Sequence, residues 1–427
     1  MVNHNCFYIA WNGGLVGKIN PFQPNGPVAP GMFSGRLKEI QILEKGLFQT
    51  KNGNPLNFLI TGERGIGKSS LLNYMRPLAD GSIKSPDFER FDFIVINISI
   101  SEKMGLVTLI KLIERNIKRK VGKVEKVRNF LDDTWSFVQR IKVMDSGVEK
   151  AAVVEDPDLL IDDLAYSLSQ TCMRLTSPEK GEEKKDGIAF FIDESDNSPP
   201  ELRIGYFFKV LTEMLQQHDC SNVMFVAAGL PEISEKLYSS HESSLRIFSE
   251  LKIKELRPED RYYVIEKGVE RGNEVNAEKT TITKSAKSHI STLSEGYPHF
   301  IQQFSYSAFE FNSDGEISED DVLSGAFNPG GALDAIGSRY YASRYHEQIK
   351  SDEYRAVLSI MAENMNDWTT KSYIKDMFSG SEQTLNNALQ ALTSRRIILR
   401  NQSKRGEYRL QQKGFALWIK LFGERGK

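Results

Sequence analysis

Eight consecutive residues have the types and the spacing of a phosphate-binding loop, GxxxxGK[ST]. They are Gly62, Glu63, Arg64, Gly65, Ile66, Gly67, Lys68 and Ser69. Glycines let backbone amides turn toward phosphates, and the amino terminus of a following helix adds positive potential. We expect Lys68 to reach the β- and γ-phosphates of ATP and Ser69 to bind Mg²⁺, with Ser70 also at the nucleotide. An apolar run before the motif and a helical pattern after it give the context that this loop requires.

A second group able to do chemistry is the acidic pair Asp193 and Glu194, which follows an apolar run at residues 188–192. Asp193 is expected to hold the Mg²⁺ shell, and Glu194 to polarise a water molecule against the γ-phosphate. Taken alone, the pair could be a turn after a strand. Together with the phosphate-binding loop it predicts an ATPase site, and we place Asp196 in the loop that follows.

A parallel sheet is needed to position these groups. Between residues 51 and 256, short apolar runs alternate with helical patterns, as in a parallel P-loop sheet flanked by helices. The predicted strands are residues 56–61, 91–98, 188–193, 222–228 and 250–256. About ninety residues separate the second strand from the third, so we expect an insertion at about residues 100–187.

Three further segments surround this predicted core. Residues 1–50 form a proline-rich segment and a leading helix. Residues 257–345 have helical spacing and no convincing strand, which predicts an all-helical lid. Residues 346–427 show helical patterns followed by two alternating segments, 397–400 and 407–410, which predict a winged helix. The expected fold is therefore α/β, with a P-loop core, a helical lid and a carboxyl-terminal winged helix.

Several motifs resemble those of AAA+-related ATPases. Besides the phosphate-binding loop and the acidic pair, they are residues 33–40 (FSGRLKEI), residues 228–231 (AGLP) and residues 296–298 (GYP). Their order is similar to that of STAND and archaeal-type ATPases and of origin-recognition initiators, which share a P-loop core, a helical lid and a winged helix. The resemblance covers nearly the whole chain from about residue 30.

This resemblance implies roles that spacing alone does not. Gly35 and Arg36 would lie on the adenine side of the pocket, the alternative being a helix start with a surface arginine. Arg246 would be an arginine finger that reaches the γ-phosphate of a neighbouring subunit in an ATP-bound homo-oligomer, or else a surface arginine near a strand. Pro298 and His299 of the lid would bind the nucleotide, with His299 contacting phosphate when protonated or as a neutral N–H donor; a lid histidine without that role is the alternative.

Two departures from the resemblance concern hydrolysis. The polar residue that AAA+ proteins commonly carry at the end of the fourth strand is absent from residues 226–229, which read VAAG. His299 stands where initiators carry an arginine. Both changes resemble the STAND proteins, in which the nucleotide acts as a switch, so we expect slow turnover.

The carboxyl-terminal segment is basic. Residues 350–427 contain fourteen Lys and Arg against eight Asp and Glu, a net charge of +6, while the remaining chain sums to −8. Polar residues on the predicted recognition helix and cations on the wing favour double-stranded DNA. These residues are Asn386, Asn387, Gln390, Arg400, Lys404 and Arg405. Winged helices also dock proteins, which leaves protein docking as the alternative.

A second basic run, between Arg115 and Arg128, is a solvated helix face or the lining of a polyanion channel in a ring of subunits.

The composition of the whole chain limits its functions. Its 427 residues carry a net charge of −2 and are 40% apolar, which is typical of a soluble globular protein without a general nucleic-acid coat. The scattered cysteines and histidines give neither a disulfide framework nor zinc-ligand spacing. No signal peptide or membrane span is expected, so we predict a cytoplasmic protein without a membrane partner.

We therefore expect an ATP- and Mg²⁺-dependent ATPase that turns over slowly and acts as a DNA-associated oligomerisation switch. The rival hypothesis is a signalling or anti-phage defence switch of the STAND type. Its winged helix and lid would contact a separate effector protein rather than DNA, since no nuclease, protease or other effector motif is visible in the chain.

Overall fold

The structure of the chain is a computed structural model. It describes residues 18–26, 35–85, 87–121, 125–139, 156–364, 368–401 and 403–423. Two compact units divide the chain: a core unit of Asn25–Asp260 with Tyr297–His299, and a carboxyl-terminal unit of Met1–Pro24, Arg261–Gly296 and Phe300–Lys427. Among the described helices, none has both the length and the apolar character needed to cross a membrane.

A five-stranded sheet forms the centre of the core unit. Its strands are β1 (Asn57–Thr61), β2 (Phe93–Ser99), β3 (Gly187–Asp193), β4 (Val223–Gly229) and β5 (Phe248–Lys252). All pairs are parallel, in the spatial order β2-β3-β4-β1-β5. Strands β3 and β4 are buried along almost their whole length, which is why their sequences are continuous apolar runs. The predicted parallel P-loop sheet is confirmed, and the first four predicted strands agree with it within two residues at each end.

The fifth strand differs from its prediction, residues 250–256, because it begins at Phe248 and ends at Lys252. Its partner is β1, with Asn57 opposite Phe248 and Thr61 opposite Lys252. One further bond runs from the Ile253 N–H to the Thr61 carbonyl at 2.8 Å. Beyond Thr61 the partner chain turns into the phosphate-binding loop, so residues 254–256 have no strand to pair with.

Helices flank this sheet in the core unit. They are α1 (Leu37–Lys51), α2 (Lys68–Ala79), α3 (Leu106–Val121), α4 (Glu125–Thr134), α5 (Pro157–Thr176), α6 (Ile204–Gln217) and α7 (Ile233–Ser240). The segment between β2 and β3, where an insertion was expected, contains α3, α4 and α5. Trp135 is buried among these helices, and its indole N–H donates to the Thr171 hydroxyl at 3.0 Å. Residues 140–155 of the segment lie outside the described residues.

The carboxyl-terminal unit is mainly helical. Its helices, two of which begin with core-unit residues, are α8 (Pro258–Val275), α9 (Lys284–Leu293), α10 (Pro298–Phe311), α11 (Glu319–Phe327), α12 (Ala332–Ile336), α13 (Asp352–Glu363), α14 (Lys371–Met377), α15 (Glu382–Ser394) and α16 (Lys413–Phe422). Two π-helical turns, Gly337–Tyr341 and Arg344–Gln348, follow α12. Of the proline-rich amino-terminal segment, residues 18–23 have no regular secondary structure, and Phe22 packs directly over Gly268.

The segment predicted to contain no strand does contain two short ones, which corrects that expectation. They are β6 (Thr281–Ile282) and β7 (Glu316–Ile317), which pair in parallel. The bond from the Thr283 N–H to the Ile317 carbonyl, at 3.0 Å, closes the pair. A strand of two residues is too short to show an alternating pattern, so its sequence cannot be distinguished from a helix boundary.

The last part of the chain is the predicted winged helix, and the structure confirms this topology. After α13 come β8 (Thr369–Thr370), the helices α14 and α15, and then β9 (Ile398–Arg400) and β10 (Glu407–Leu410). The three strands form an antiparallel sheet in the order β8-β10-β9. The helix α16 closes the domain with an apolar face that includes Phe415 and Trp418.

Candidate nucleotide site

The phosphate-binding loop connects the end of β1 with the start of α2. Gly65 and Gly67 have φ angles of +80° and +100°, a left-handed backbone that favours glycine. Gly67 is the amino-terminal cap of α2, and no side chain caps that helix. The first amides of α2 are therefore directed at the loop, as an anion-binding helix terminus requires.

Lys68, the first residue of α2, folds its side chain back over the loop. Its ammonium donates to the Gly62 carbonyl at 2.8 Å and to the Glu63 carbonyl at 3.0 Å. Burial lowers the pKa of Lys68, and the negative charges of Asp196 and Asp193 act in the opposite direction. A partly buried ammonium held by neutral carbonyls gains most from an anionic ligand, which makes this loop suited to phosphate.

The acidic pair lies at the carboxyl end of β3, as predicted. The Asp193 carboxylate accepts a hydrogen bond from the Glu194 N–H at 2.9 Å. Glu194 has a φ angle of +54°, an unusual conformation for a residue other than glycine. Its carboxylate accepts a hydrogen bond from the Ser99 hydroxyl at 2.7 Å. Both side chains of this last pair are solvent-exposed, so Glu194 is accessible but restrained.

Sequence reasoning did not identify Ser99, although the strand order explains its position. Ser99 ends β2, and it lies opposite Asp193 in the pairing of β2 with β3. Since parallel strands end at one edge of a sheet, residue 99 reaches the acidic pair. The adjacency of these two strands would have identified it, but that adjacency is not encoded in either strand alone.

Asp196 lies in a short 3₁₀ turn, Ser195–Asn197, directly after the acidic pair. Its carboxylate accepts a hydrogen bond from the Leu230 N–H at 2.9 Å. The expected loop position is therefore correct, but the side chain also reaches the end of β4. Sequence reasoning did not assign this contact, because Leu230 is 34 residues away along the chain.

Arg36 is buried, with 5% of its surface exposed, so it is not a surface arginine. Its guanidinium donates to the Ile66 carbonyl of the phosphate-binding loop at 3.1 Å and to the Lys254 carbonyl at 2.5 Å. Burial lowers the pKa of Arg36, and Glu39, 3.7 Å away, acts against this. Gly35, with a φ angle of +77°, turns the chain beside Leu256. Phe33 and Ser34 of the same motif lie outside the described residues.

The short segment Tyr297–His299 belongs to the core unit and lies against the phosphate-binding loop. The His299 backbone N–H donates to the Gly65 carbonyl at 3.3 Å. Pro298 faces Gly67, since a Cβ added to that glycine would lie 3.5 Å from the proline ring. The structure thus brings both lid residues to the loop, and the contact of His299 is through its backbone.

Arg246 lies in the 3₁₀ turn Ser244–Ile247, directly before β5, and its side chain is exposed. Both interpretations of Arg246, an arginine finger and a surface arginine near a strand, are compatible with this position. The turn is anchored by Ser244, which is fully buried.

No group of three or more His, Cys, Asp or Glu residues able to hold a metal ion occurs within the described stretches. A Mg²⁺ ion bound through Ser69 and Asp193 fits this arrangement, since Mg²⁺ in phosphate sites takes one or two protein ligands and draws the rest from phosphates and water. Ser69 is the second residue of α2, and Asp193 ends β3. Ser69 therefore lies in the helix that follows the loop, and Asp193 lies at the same edge of the parallel sheet, two strands away from β1.

The winged helix presents its predicted DNA-contacting residues to solvent. Asn386, Asn387 and Gln390 are exposed on α15, outside the buried stripe of that helix. Arg400, Lys404 and Arg405 are exposed on or beside the β9–β10 hairpin. An open groove of about 610 Å³ runs between helix and hairpin, lined by Thr393, Ile398, Leu399, Arg400, Asn401 and Arg405.

The second basic run is divided between the helices α3 and α4. Lys118 lies 3.1 Å from Glu114 and 2.7 Å from Asp132, so its charge is balanced locally. Arg115 and Arg128 are exposed. Lys123 of this run lies outside the described residues.

Comparisons with known proteins inform the fold of this chain. No protein-family model matches the sequence, and no curated protein matches it significantly. Among solved structures, the Aeropyrum pernix ORC2 protein in ADPNP and ADP complexes aligns with a TM-score of 0.55 and 13% identity, covering 94% of this chain and 98% of that one. The ADP form of that protein aligns at 0.47 with 13% identity over 91% and 93%, and the Aeropyrum pernix ORC1 protein in complex with DNA aligns at 0.43 with 14% identity over 94% and 94%. The first alignment shows that this chain shares the fold of the Aeropyrum pernix ORC2 protein, which confirms the predicted resemblance to an origin-recognition ATPase at the level of the fold.

Proposed function

We propose that this protein binds ATP with Mg²⁺ and hydrolyses it slowly, using the nucleotide as a switch. The observation that carries the proposal is the position of Lys68, whose ammonium folds back over the loop and donates to the carbonyls of Gly62 and Glu63. A structural neighbour, the Aeropyrum pernix ORC2 protein, was solved with ADPNP and ADP, which supports a nucleotide in this fold.

Each residue of the site has a defined part in this proposal. The amides of the phosphate-binding loop and of α2 would hold the phosphates, and Lys68 would move from the carbonyls onto the β- and γ-phosphates. Ser69 and Asp193 would hold Mg²⁺, which supplies positive charge against the phosphate oxygens. Once the hydrogen bond between Ser99 and Glu194 breaks, the Glu194 carboxylate would accept a hydrogen bond from the attacking water.

Two features of the site support slow hydrolysis. Glu194 is bonded to the Ser99 hydroxyl at 2.7 Å, so a hydrogen bond must break before the carboxylate can orient a water molecule. In addition, β4 ends at Gly229, which has no side chain to help position that water. The resting site is therefore better arranged for holding a nucleotide than for cleaving it.

Nucleotide binding is tested by titrating a fluorescent ATP analogue into the wild type and into Lys68→Ala. We expect the affinity of Lys68→Ala to fall at least about tenfold, because a charge-assisted contact to phosphate is lost. Lys45→Ala is the matched control, since Lys45 is an exposed lysine of α1, and it should bind as the wild type does. Full affinity in Lys68→Ala would remove the loop from the nucleotide site.

We further propose that the winged helix contacts DNA, for which the exposed cations beside the 610 Å³ groove are the supporting observation. Binding should weaken steeply with salt, and the double variant Lys404→Ala/Arg405→Ala should reduce the salt slope by about 2. The control removes two exposed lysines elsewhere in the same unit, Lys284→Ala/Lys350→Ala. A DNA affinity that does not change with salt concentration would favour the rival hypothesis, in which a protein effector docks on the same surface.

Assembly is the third part of the proposal. The exposed position of Arg246 before β5 supports an arginine that acts on the γ-phosphate of a second copy. Light scattering with a slowly hydrolysed ATP analogue should show a larger mass for the wild type than for Arg246→Ala. Equal masses with and without the analogue would exclude nucleotide-driven assembly.

A further inference from the structure

Asp196 occupies the place that a side chain at the end of β4 would take. A Cβ added to Gly229 would lie 2.9 Å from an Asp196 carboxylate oxygen and 3.1 Å from the Asp196 backbone nitrogen, which is too close for a real contact. That same carboxylate oxygen accepts the Leu230 N–H at 2.9 Å. A carboxylate from the β3 loop therefore fills the position next to the nucleotide site that β4 itself leaves empty of side chains.

The turn that carries Asp196 is held from two sides. Its carboxylate is fixed to the start of the β4–α7 connection through Leu230. Its backbone carbonyl, and that of Ser198 at 3.0 Å, accept hydrogen bonds from the ammonium of Lys236 on α7. The negative charge is therefore kept in place by contacts that do not involve the nucleotide.

This charge lies beside the strand that leads into the phosphate-binding loop, because Asp196 contacts Gly229, which is paired with Thr61 at the end of β1. Among the carboxylates that oppose the effect of burial on the pKa of Lys68, Asp196 acts most strongly, ahead of Asp193. Asp193 is the expected Mg²⁺ ligand, whereas nothing in the proposed chemistry uses Asp196. If Lys68 moves onto the β- and γ-phosphates, the Asp196 carboxylate keeps its place at the carboxyl end of β4 and adds negative charge beside the loop that holds them.

We propose that Asp196 is a specificity-determining residue that disfavours the γ-phosphate and so shifts the balance of the switch from ATP toward ADP. A carboxylate cannot donate a hydrogen bond to a phosphate oxygen, and it repels the additional charge that ATP carries beyond ADP. This inference rests on the proposed function and refines it. The resting state of the switch is then the ADP state.

The test is the ratio of the affinities for a slowly hydrolysed ATP analogue and for ADP, measured by isothermal titration calorimetry with Mg²⁺. Asp196→Asn keeps an oxygen for the Leu230 N–H, removes the charge and adds an N–H donor. We expect it to raise the ATP-analogue affinity roughly tenfold, the effect of one charge several ångströms away in a partly solvated site, and to change ADP affinity less than about twofold. A role in holding the loop alone would change both affinities together.

Two further variants complete the experiment. Glu232→Gln removes another carboxylate that acts on Lys68, more weakly, and should leave the ratio within about twofold of the wild type. Asp196→Ser removes the charge by a second route, so that poor folding of one variant does not decide the result.

The outcomes separate the inference from the function on which it rests. A ratio that rises in Asp196→Asn and Asp196→Ser but not in Glu232→Gln supports the inference. A wild type that binds both nucleotides, with an unchanged ratio in the Asp196 variants, overturns the inference and leaves ATP binding standing. A wild type that binds neither nucleotide overturns both.

Discussion

The hydrogen bond between Ser99 and Glu194 gives the sharpest prediction about turnover. If this bond holds the carboxylate away from water, removing the hydroxyl in Ser99→Ala should accelerate hydrolysis. A hydrogen bond to a charged group contributes about 1.5–3 kcal/mol when buried. Both side chains are exposed, so we take ~1 kcal/mol as its strength here. That value corresponds to about a fivefold rise in kcat.

The assay is steady-state phosphate release at saturating ATP, with KM measured alongside. KM should stay within about twofold, because neither Ser99 nor Glu194 is assigned to hold the phosphates in the ground state. Ser101→Ala is a suitable control, since Ser101 is a nearby exposed serine two residues beyond the end of β2.

A double-mutant cycle identifies the group that is released. The variant Glu194→Gln should hydrolyse ATP very slowly, and adding Ser99→Ala to it should give no acceleration. If Ser99→Ala leaves kcat unchanged or lowers it, the reasoning is refuted. Ser99 would then hold Glu194 in its productive orientation.

Three further predictions concern residues that support the site and the fold. Arg36→Met should destabilise the protein by about 2–3 kcal/mol in urea denaturation, because the carbonyls of Ile66 and Lys254 lose a charged donor. Burial raises the pKa of Glu44, a fully buried residue of α1, so its ionisation opposes folding and stability is lost as pH rises through the folded-state pKa. The stability advantage of Glu44→Gln over the wild type should therefore grow between pH 4 and pH 7 in denaturation curves, and a constant difference would contradict this. Gly337→Ala should lower the melting temperature and reduce the free energy of unfolding by about 1–3 kcal/mol or more, because the new Cβ would lie 1.8 Å from the Trp418 indole nitrogen. The control is Gly105→Ala, whose new Cβ would meet no atom within 4 Å.

Local sequence was sufficient where a residue's surroundings are set by its neighbours in the chain. The run at residues 188–192 is buried on both sides in β3, so its continuous apolar character identified a central parallel strand. The phosphate-binding loop could be predicted equally well, because its left-handed glycines and the start of its helix lie within one short stretch of the chain. The winged helix followed from helical periods and a hairpin pattern of ordinary length.

Local sequence was insufficient where a partner from a distant part of the chain decides the outcome. The end of β5 is set by where β1 turns away, and the partners of Arg36 include Lys254, which is 218 residues distant. The two-residue strands β6 and β7 exist only as a pair. Ser99 and Asp196 look like ordinary polar residues after strands until the order of the strands is known.

The strand order explains why the contacts of Ser99 and Asp196 lie on opposite sides of the β3 loop. Because β3 lies between β2 and β4, its carboxyl end is bordered by Ser99 at the end of β2 and by Gly229 at the end of β4. The Ser99 hydroxyl donates to Glu194 in the β3 loop and restrains it. The Asp196 carboxylate of the same loop accepts the Leu230 N–H, directly after β4. The first contact involves the group that would activate water, and the second involves the charge proposed to disfavour the terminal phosphate. Hydrolysis rate and nucleotide preference should therefore respond to different substitutions, with Ser99→Ala acting on kcat and Asp196→Asn on the ratio of ATP to ADP affinity.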